Sequence, residues 1–245
     1  MSMKVPISKR LLCCAEEVPR GAHVADVGCD HGYLGIYLLL SGRASFVHAS
    51  DLREQPIQKA MQNATRFGAA DKMRFSRADG LGAVEPGTVD TVVCAGMGGD
   101  LIADILDAAP WVRENCALIL QPQSSGNDLR RWLGEHGYNI KKERLVRDGG
   151  FLYAVMTVRY GGGVPVSPGR QYASDALLAS NDPLLVPYLS RIERSLESTV
   201  AGIAKGVTEE DRRKLAYYGA ALEEIAAILR ELETNERGQE NACRK

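Results

Sequence analysis

The sequence lacks several features that would place it outside the ordinary soluble proteins. No apolar run is long enough to span a membrane, and residues 1–20 have no apolar core or cleavage site of a secretory signal. The six cysteines form no C-x-x-C pair and the four histidines have no metal-ligand spacing, so neither disulfides nor a bound metal is expected. The 30 Lys and Arg are balanced by 31 Asp and Glu, which excludes a uniformly basic nucleic-acid-binding protein. We therefore predict a cytoplasmic protein without membrane or metal.

The first glycine turn also lacks the residues of two common nucleotide motifs. Residues 23–27 are a short apolar run typical of a buried parallel strand, and Gly28 and Gly32 follow it. The turn has no Lys, which excludes a phosphate-binding P-loop, and its glycines are spaced too widely for G-x-G-x-x-G. It is acidic instead, with Asp26 and Asp30. Carboxylates suit a cationic cofactor without phosphate, such as S-adenosylmethionine, although a tight connection with solvated acids is the alternative.

Along the chain, apolar runs alternate with helical patterns. Strands are predicted at residues 23–27, 45–50, 73–78, 89–95, 117–120, 138–146 and 151–158, and the last two are joined by Asp148-Gly149-Gly150, a hairpin signal. Helices are predicted at the N-terminus after Ser8 and at about 34–41, 54–67, 100–109 and 127–136. The pattern predicts an α/β fold with a seven-stranded, mostly parallel sheet.

Polar or glycine-rich residues follow each of the first five strands, where parallel strands share one edge of the sheet. Asp51 ends the second strand, about twenty residues after the glycine turn, where a carboxylate accepts from both hydroxyls of a ribose. This spacing also suits NAD. Asp79 after the third strand is predicted to accept from an adenine amino group, with a simple turn Asp as the alternative.

The ends of the fourth and fifth strands are predicted to face the substrate. Residues 96–99, Gly-Met-Gly-Gly, are expected to form a loop that a ligand approaches closely, with Met97 against a base. Gln121-Pro122-Gln123 supplies amides for a base edge. The Asn-Pro-Pro-Tyr loop of many amino-methylating enzymes is absent. Asp30 and His31 are expected to open the first helix, with His31 near the methyl donor and not a general base.

A linker of glycines and prolines is predicted at residues 161–170, after a domain at 1–160. Two helices with apolar residues at alternating spacings of four and three follow within residues 171–234, and they predict a helical hairpin of the coiled-coil type. Residues 235–245 are expected to be a flexible tail. We expect a monomer or a weak dimer.

Four stretches together resemble the bacterial tRNA (adenine(22)-N(1))-methyltransferase family: residues 8–11 (SKRL), 25–34 (ADVGCDHGYL), 95–99 (AGMGG) and 119–122 (ILQP). Cys29 and Gly32 depart slightly from the family pattern, and Asp51 replaces Glu of some members. The resemblance implies a Rossmann-like methyltransferase domain, S-adenosylmethionine as donor, and N1 of a D-arm adenine in tRNA as acceptor.

With this resemblance, three sets of site residues are predicted. The cofactor set is Asp26, Gly28, Cys29, Asp30, His31, Gly32, Asp51, Leu52, Asp79, Gly80, Ala95, Gly96 and Met97. The substrate set is Lys9, Arg10, Tyr33, Gly98, Gly99, Gln121, Pro122, Gln123, Arg130 and Arg131. The catalytic set, acting by positioning and electrostatics without a general base, is Asp26, Asp30, His31, Gly96, Met97 and Gly98. Methylation of another substrate, an NAD-dependent oxidoreductase and a non-catalytic tRNA-binding protein are the alternatives.

Overall fold

The computed structural model describes residues 4–206 and 208–243, with side chains described up to residue 234. The chain forms two compact units, Met1–Val164 and Pro165–Lys245. The boundary between these units lies inside the stretch predicted as a linker. No helix within the described ranges has both the length and the apolar character needed to cross a bilayer.

The first unit is built on one sheet of seven strands. The strands are β1 (Ala22–Val27), β2 (Ala44–Asp51), β3 (Met73–Arg77), β4 (Thr91–Gly98), β5 (Ala117–Ser124), β6 (Tyr138–Asp148) and β7 (Phe151–Tyr160). Their order is β3-β2-β1-β4-β5-β7-β6, and β7 runs antiparallel to both of its neighbours. The predicted α/β class, the mostly parallel sheet and its antiparallel hairpin are confirmed.

Helices cover the sheet of the first unit. They are α1 (Lys9–Glu17), α2 (Tyr33–Leu40), α3 (Glu54–Phe67), α4 (Gly99–Asp107), α5 (Val112–Asn115) and α6 (Gly126–Glu135), with a 3-10 turn at Ala70–Lys72. The hydroxyl of Ser8 accepts from the Leu11 N–H and caps α1, as predicted. The short α5 was not predicted, because four residues show no helical period.

The spacing of Ile57, Ala60, Met61 and Ala64 in the sequence predicts one inward apolar face on α3. Met61 departs from this prediction, because its side chain is 48% exposed. Asn63 is buried in the same helix at 4% exposure. Its amide Nδ2 donates to the His31 carbonyl at 2.9 Å, so the helix anchors the loop after β1. The sequence period alone gave no reason to place an amide there.

Two segments predicted as loops are strand ends. β4 continues to Gly98 and β5 to Ser124, and the two strands pair beyond the predicted ends, with Met97 opposite Pro122 and Gly98 opposite Ser124. The register shifts on both sides of Met97. This pairing with the neighbouring strand keeps Gly98 and Pro122 within the sheet, although the local propensity of glycine and proline favours a turn.

The second unit consists of α7 (Asp175–Leu178), α8 (Leu185–Ile203) and α9 (Glu209–Cys243). α8 and α9 pack on each other. Up to residue 234, where side chains are described, the buried residues of the two helices are Leu185, Leu189, Leu196, Ala221, Ile225 and Leu229. Thr208 and Asp211 form a reciprocal cap, in which Thr208 Oγ1 accepts from the Asp211 N–H at 3.1 Å. The predicted tail begins inside α9, and its last two residues lie outside the described part.

Candidate functional site

The loop after β1 holds three residues in the left-handed region. Gly28, Asp30 and Gly32 have φ of 69°, 49° and 72°. A Cβ on Gly32 would lie 2.9 Å from the Cβ of Ala60 on α3, so this turn packs too closely for a side chain. Asp30 and His31 precede α2, which begins at Tyr33, and this corrects the expectation that they open the helix.

The carboxylate of Asp51 is fixed at the end of β2 beside this loop. Its Oδ2 accepts from the Asp30 N–H at 3.3 Å, and its Oδ1 accepts from the Arg53 N–H at 3.0 Å. The side chain is 9% exposed. A carboxylate offers about four acceptor sites, so these two bonds leave capacity for a pair of hydroxyl donors. The geometry therefore fits the ribose-binding role predicted for Asp51.

Asp26 lies deeper than predicted. It is 4% exposed and accepts from the Gly35 N–H of α2, while its Oδ2 has no hydrogen-bond partner in the part of the chain described. Burial raises the pKa of Asp26 to about 7, against the effect of the Gly35 bond, and the charge of Asp51 adds to the rise. Asp26 is therefore only partly ionised at neutral pH. Its predicted place at the open cleft is corrected to a position between β1 and α2.

The side chains of Asp30 and His31 are exposed, at 66% and 49%. The His31 Nε2 lies 3.7 Å from the Asp30 Oδ2, and the imidazole lies 5.9 Å from the ring of Tyr33. Tyr33 is half-buried and meets Phe67 edge-on, so it supports the loop from the helix. The pair Asp30–His31 is thus the accessible polar part of the first turn.

Cys29 contributes its backbone and not its thiol. Its N–H donates to the Ser50 carbonyl at 2.9 Å, which joins the loop to β2. The side chain is 7% exposed. Burial, together with the charges of Asp26, Asp51 and Asp30, raises the pKa of the Cys29 thiol, so the sulfur stays protonated at neutral pH.

The end of β3 lies next to β2 and to α4. The Ser50 hydroxyl donates to the Gly80 carbonyl at 3.2 Å, and a Cβ on Gly80 would lie 3.0 Å from Cγ1 of Ile105. Asp79 is exposed beside a cavity of about 670 Å³. Leu52 exposes 62% of its surface after Asp51. An open apolar side chain and an open carboxylate fit the face and the amino edge of an adenine.

The glycines at the junction of β4 and α4 have three different roles. Gly96 has φ of 85°, and a Cβ there would lie 3.0 Å from Nη1 of Arg10. A Cβ on Gly99 would lie 2.3 Å from the Ser125 carbonyl oxygen, so only glycine fits. Gly98 has φ of −65°, and its Cβ would meet only the Ser124 hydroxyl at 3.4 Å. Gly98 is therefore the open position of this junction.

Met97 connects the two glycine-containing turns. A Cβ on Gly28 would lie 2.9 Å from the Met97 methyl carbon, so the loop after β1 faces the end of β4. Ala95, Gly96 and Met97 are each partly exposed. The structure thus brings the ends of β1 and β4 together, as the sequence predicted.

Several residues predicted to contact the substrate have structural partners instead. Arg130 is 3% exposed and forms an ion pair with Glu143, which is 0% exposed, so its predicted contact with the substrate is wrong. Arg131 is 46% exposed and pairs with Asp128. Lys9 remains exposed on α1. A charged side chain that is buried with its ion-pair partner cannot reach a substrate that binds at the protein surface.

The amides after β5 are divided between core and surface. Gln121 is 0% exposed, and its Nε2 donates to the Pro122 carbonyl at 2.8 Å. Its Oε1 accepts from Arg10 Nη1. Pro122 is also buried, so the predicted base contacts of Gln121 and Pro122 are corrected. Gln123 is exposed and keeps its predicted place.

Arg10 was predicted to contact the substrate, and its actual position was missed. It is half-buried, and its guanidinium carbon lies 5.8 Å from the centre of the Tyr153 ring. The backbone N–H of Arg10 donates to the Asp148 Oδ2 at 3.1 Å. The Ser8 cap predicted the helix α1, but it gave no information on which strand end the Arg10 side chain would contact.

Comparison with known proteins agrees with this geometry. A family model described as a methyltransferase domain matches residues 7–156. The tRNA (adenine(22)-N(1))-methyltransferase of Bacillus subtilis is 32% identical over 189 residues, which cover 77% of this chain and 76% of that protein. The crystal structure of the B. subtilis M1A22 tRNA methyltransferase TrmK has a TM-score of 0.83 and 28% identity, covering 92% of this chain and 100% of that one.

A third relative was solved with a ligand. The structure of Streptococcus pneumoniae Sp1610, a putative tRNA (m1A22) methyltransferase in complex with S-adenosyl-L-methionine, has a TM-score of 0.78 and 31% identity. It covers 91% of this chain and 99% of that chain. The match extends over the sheet and over the helices that follow it. The chain belongs to the tRNA (adenine(22)-N(1))-methyltransferase family.

Proposed function

We propose that this chain transfers the methyl group of S-adenosylmethionine to N1 of the adenine at position 22, in the D-arm of tRNA. The observation that carries the proposal is the Asp51 carboxylate, held by two backbone N–H groups beside the glycine loop. The activity named for the B. subtilis relative supports the choice of acceptor. The relative bound to S-adenosyl-L-methionine supports the choice of donor.

The residues around Asp51 suit the three parts of this cofactor. Asp51 accepts from the ribose hydroxyls, exposed Leu52 covers one face of the adenine, and Asp79 accepts from its amino group. The loop from Gly28 to Gly32 and the end of β4 enclose the methionyl part. Bound there, the cofactor supplies an electrophilic methyl group on a cationic sulfur.

The reaction does not depend on a strong general base. Adenine N1 attacks with an in-plane lone pair and carries no proton, and the product base is cationic. The chain therefore orients the base and supplies negative potential from exposed Asp30 and Asp100 and from backbone carbonyls at Gly96. His31 lines the same rim and removes no proton in this scheme.

The target base enters beside Gly98, the open position of the β4–α4 junction. N1 of an adenine in folded RNA is commonly engaged in pairing, so the base leaves its stack before it reacts. Exposed Gln123 follows β5 on the neighbouring strand and offers an amide to the base edge. Lys9 is an exposed cation of the first unit that contacts a phosphate in this scheme.

We further propose that the helical second unit binds the body of the tRNA and that the enzyme acts in the cytoplasm, where tRNA resides. Arg191 and Arg194 on α8 and Arg212 on α9 are exposed. Within the described residues none of the three has an acidic partner. Such cations contribute affinity without base specificity.

The proposed function is tested by mapping the modified nucleotide. Purified protein and S-adenosylmethionine are incubated with unmodified tRNA that carries adenine at position 22 and with the same tRNA carrying guanine there. N1-methyladenine is expected at position 22 of the first tRNA only, read by a block to reverse transcription. Methylation of the guanine-substituted tRNA at another site, or no methylation of either tRNA, would contradict the proposal.

A further inference from the structure

The turn between β6 and β7 carries an exposed aromatic side chain, Phe151. β7 runs antiparallel to β5, with Met156 opposite Leu120, so the first residues of β7 lie beside the carboxyl end of β5. This is the edge of the sheet at which the predicted site residues gather. Phe151 is 59% exposed there, so its ring is open to a partner.

The backbone of the chain holds this ring in a defined place. Gly149 and Gly150 form the turn, with φ of 55° and 83°, and Phe151 pairs with Asp148 across it. Two consecutive residues with positive φ are typical of the tight turns that close hairpins. The Asp148 Oδ2 accepts from the backbone N–H of Arg10 at 3.1 Å, which ties the turn to the N-terminus of α1. A partner that binds Phe151 therefore orders little further backbone.

Tyr153 connects the turn with the junction of β4 and α4. Its ring lies 6.4 Å from the ring of Phe151 and 5.8 Å from the guanidinium carbon of Arg10. The Arg10 Nη1 in turn lies 3.0 Å from the position of a Cβ on Gly96. Successive contacts thus lead from Phe151 to the junction where the target base is proposed to enter.

Exposed cations lie next to Phe151. Lys9 is the first residue of α1, and Arg147 directly precedes the turn residue Asp148. Within the described part of the chain, neither cation has an acidic partner. An aromatic ring combined with free cations suits a nucleotide, because the base stacks on the ring and the phosphates meet the charges.

A second copy of the chain is a less suitable partner for this surface. One exposed ring supplies little of the apolar area that a stable protein interface needs. Lys9 and Arg147 would also meet their own copies across a twofold contact, and like charges repel each other there. RNA, by contrast, carries a negative charge at each nucleotide.

We propose that Phe151 stacks on a nucleobase of the tRNA D-arm next to the target adenine or opposite it, an inference that rests on the proposed function. Extrusion of the adenine unstacks the bases around it, and an aromatic ring at the entrance replaces part of that stacking. Lys9 and Arg147 contact the adjoining phosphates. Phe151 is thus a substrate-binding residue that does not touch the reacting atoms.

The first experiment measures tRNA affinity by filter binding with full-length variants. Phe151→Ala is expected to weaken tRNA binding about fivefold or more, because it removes a base–aromatic stack. Phe151→Tyr keeps the ring and is expected to stay within about twofold of the unmodified protein. Leu40→Ala is the control, since it removes a 51% exposed apolar side chain at the C-terminus of α2.

The second experiment identifies the base with tRNAs that lack one base each, on either side of position 22 or opposite it in the D stem. Phe151→Ala should cause no further loss with one of these tRNAs, because its stacking partner is already absent. An equal loss with every abasic tRNA would overturn the inference.

Salt dependence and stability separate stacking from other causes. Phe151→Ala should leave the logarithmic salt slope of tRNA affinity unchanged, whereas Arg147→Met should reduce it by about one unit. A reduced slope, a lower melting temperature or weaker S-adenosylmethionine binding in Phe151→Ala would overturn the inference in favour of a structural role. Unchanged tRNA affinity would overturn it as well, and an accompanying change of oligomeric state would assign the ring to self-association.

Two further outcomes keep the inference distinct from the proposed function. Should Phe151→Ala not fold, Phe151→Leu keeps apolar bulk without a ring and is measured against the same criteria. If the unmodified protein shows this pattern of binding but forms no N1-methyladenine, the proposed function is overturned and the stacking contact is supported.

Discussion

At the scale of single residues, two aspartates on neighbouring strands have different environments. Asp26 is the penultimate residue of β1, and Asp51 is the last residue of the neighbouring strand β2. Asp51 has two backbone donors at the cleft, whereas Asp26 is closed in against α2 with one unpartnered oxygen. Their side chains are identical, so the surroundings alone leave the carboxylate of Asp51 at the cleft and enclose that of Asp26.

Replacement of Asp51 is expected to abolish most of the cofactor affinity. Asp51→Ala removes a charged acceptor at a site that fits ribose hydroxyls, which should cost about 1.5–3 kcal/mol of binding free energy. Calorimetry with S-adenosylmethionine measures this loss, and circular dichroism checks that the fold persists. Asp71→Ala, in the exposed 3-10 turn, is the control. Equal affinities for the two variants would remove Asp51 from the site.

The raised pKa of Asp26 predicts a pH dependence of stability. The unfolded carboxyl has a pKa near 3.8 and the folded one about 7, so the folded protein binds the extra proton between these values. Its stability therefore falls as pH rises through this window and levels off above about 7. From pH 5 to pH 8 the unmodified protein should lose about 2–3 kcal/mol relative to Asp26→Asn.

Chemical denaturation of the two proteins without cofactor, at pH 5 and at pH 8, measures this difference. Other groups titrate alike in both proteins, so the change in the difference isolates Asp26. Parallel stability curves would mean that the buried carboxyl keeps its ordinary pKa.

At the scale of secondary-structure elements, the junction of β4 and α4 determines where a substrate has room. The run Gly96-Met97-Gly98-Gly99 looks uniform in sequence, yet Gly96 needs its positive φ and Gly99 packs against a backbone carbonyl. Gly98 is in an ordinary extended conformation at the N-terminus of α4. A side chain at Gly98 therefore tests the substrate site with little cost to the fold.

Gly98→Val is expected to leave S-adenosylmethionine affinity within about twofold and to reduce methyl transfer to tRNA at least tenfold, because the new side chain fills the space proposed for the base. Gly99→Ala serves as the contrast. It should lower the melting temperature, since its Cβ would lie 2.3 Å from the Ser125 oxygen. Normal turnover by Gly98→Val would place the base elsewhere.

The ion pair between Arg130 on α6 and Glu143 on β6 predicts that replacing Arg130 lowers the stability of the fold, whereas the sequence indicated an effect on substrate binding. Arg130→Met leaves Glu143 buried without its cation, which should cost about 3–5 kcal/mol of unfolding free energy. The neighbouring Arg131→Met removes an exposed pair with Asp128 and should cost less than about 1 kcal/mol. Urea denaturation compares the two. Equal stability of the variants would contradict the structural role of Arg130.

At the scale of the whole molecule, fewer basic side chains of the first unit are available to contact RNA than the sequence suggests. The sequence has a basic cluster at Lys141, Lys142, Arg144 and Arg147. Lys142 and Arg144 both pair with Glu17, and Arg144 also pairs with Glu16. These two pairs lower the pKa of the Glu17 carboxyl despite its partial burial. Cations that are already paired with carboxylates in the first unit release few counterions when RNA binds. We therefore expect the exposed arginines of the second unit to contribute more of the electrostatic affinity for RNA.

A triple variant of the second unit tests this surface. Arg191→Ser, Arg194→Ser and Arg212→Ser together should leave S-adenosylmethionine affinity unchanged and weaken tRNA binding. Each lost phosphate contact should also reduce the salt dependence of the tRNA affinity by about one unit of the logarithmic slope. Filter binding between low and moderate salt measures both. An unchanged slope would show that the helices serve packing or self-association.

The sequence by itself determined the order of the seven strands and of the helices longer than four residues, the helix α3 at Glu54–Phe67, and the acids near the ends of β1 and β2 and in the turn after β3. These features depend on local periodicity and on glycine and capping residues, which act within a few positions. The motifs that name the family are equally local.

Only the tertiary structure decided which of these residues are accessible and what they contact. Arg10 meets Gln121 across 111 positions of sequence, Arg130 turns inward to Glu143, and Asp26 closes against α2. Such outcomes depend on which surfaces pack together, and burial then decides whether a charge is paired, protonated or free to bind. No period or spacing in the chain records that choice, because the partners come from elements far apart in sequence.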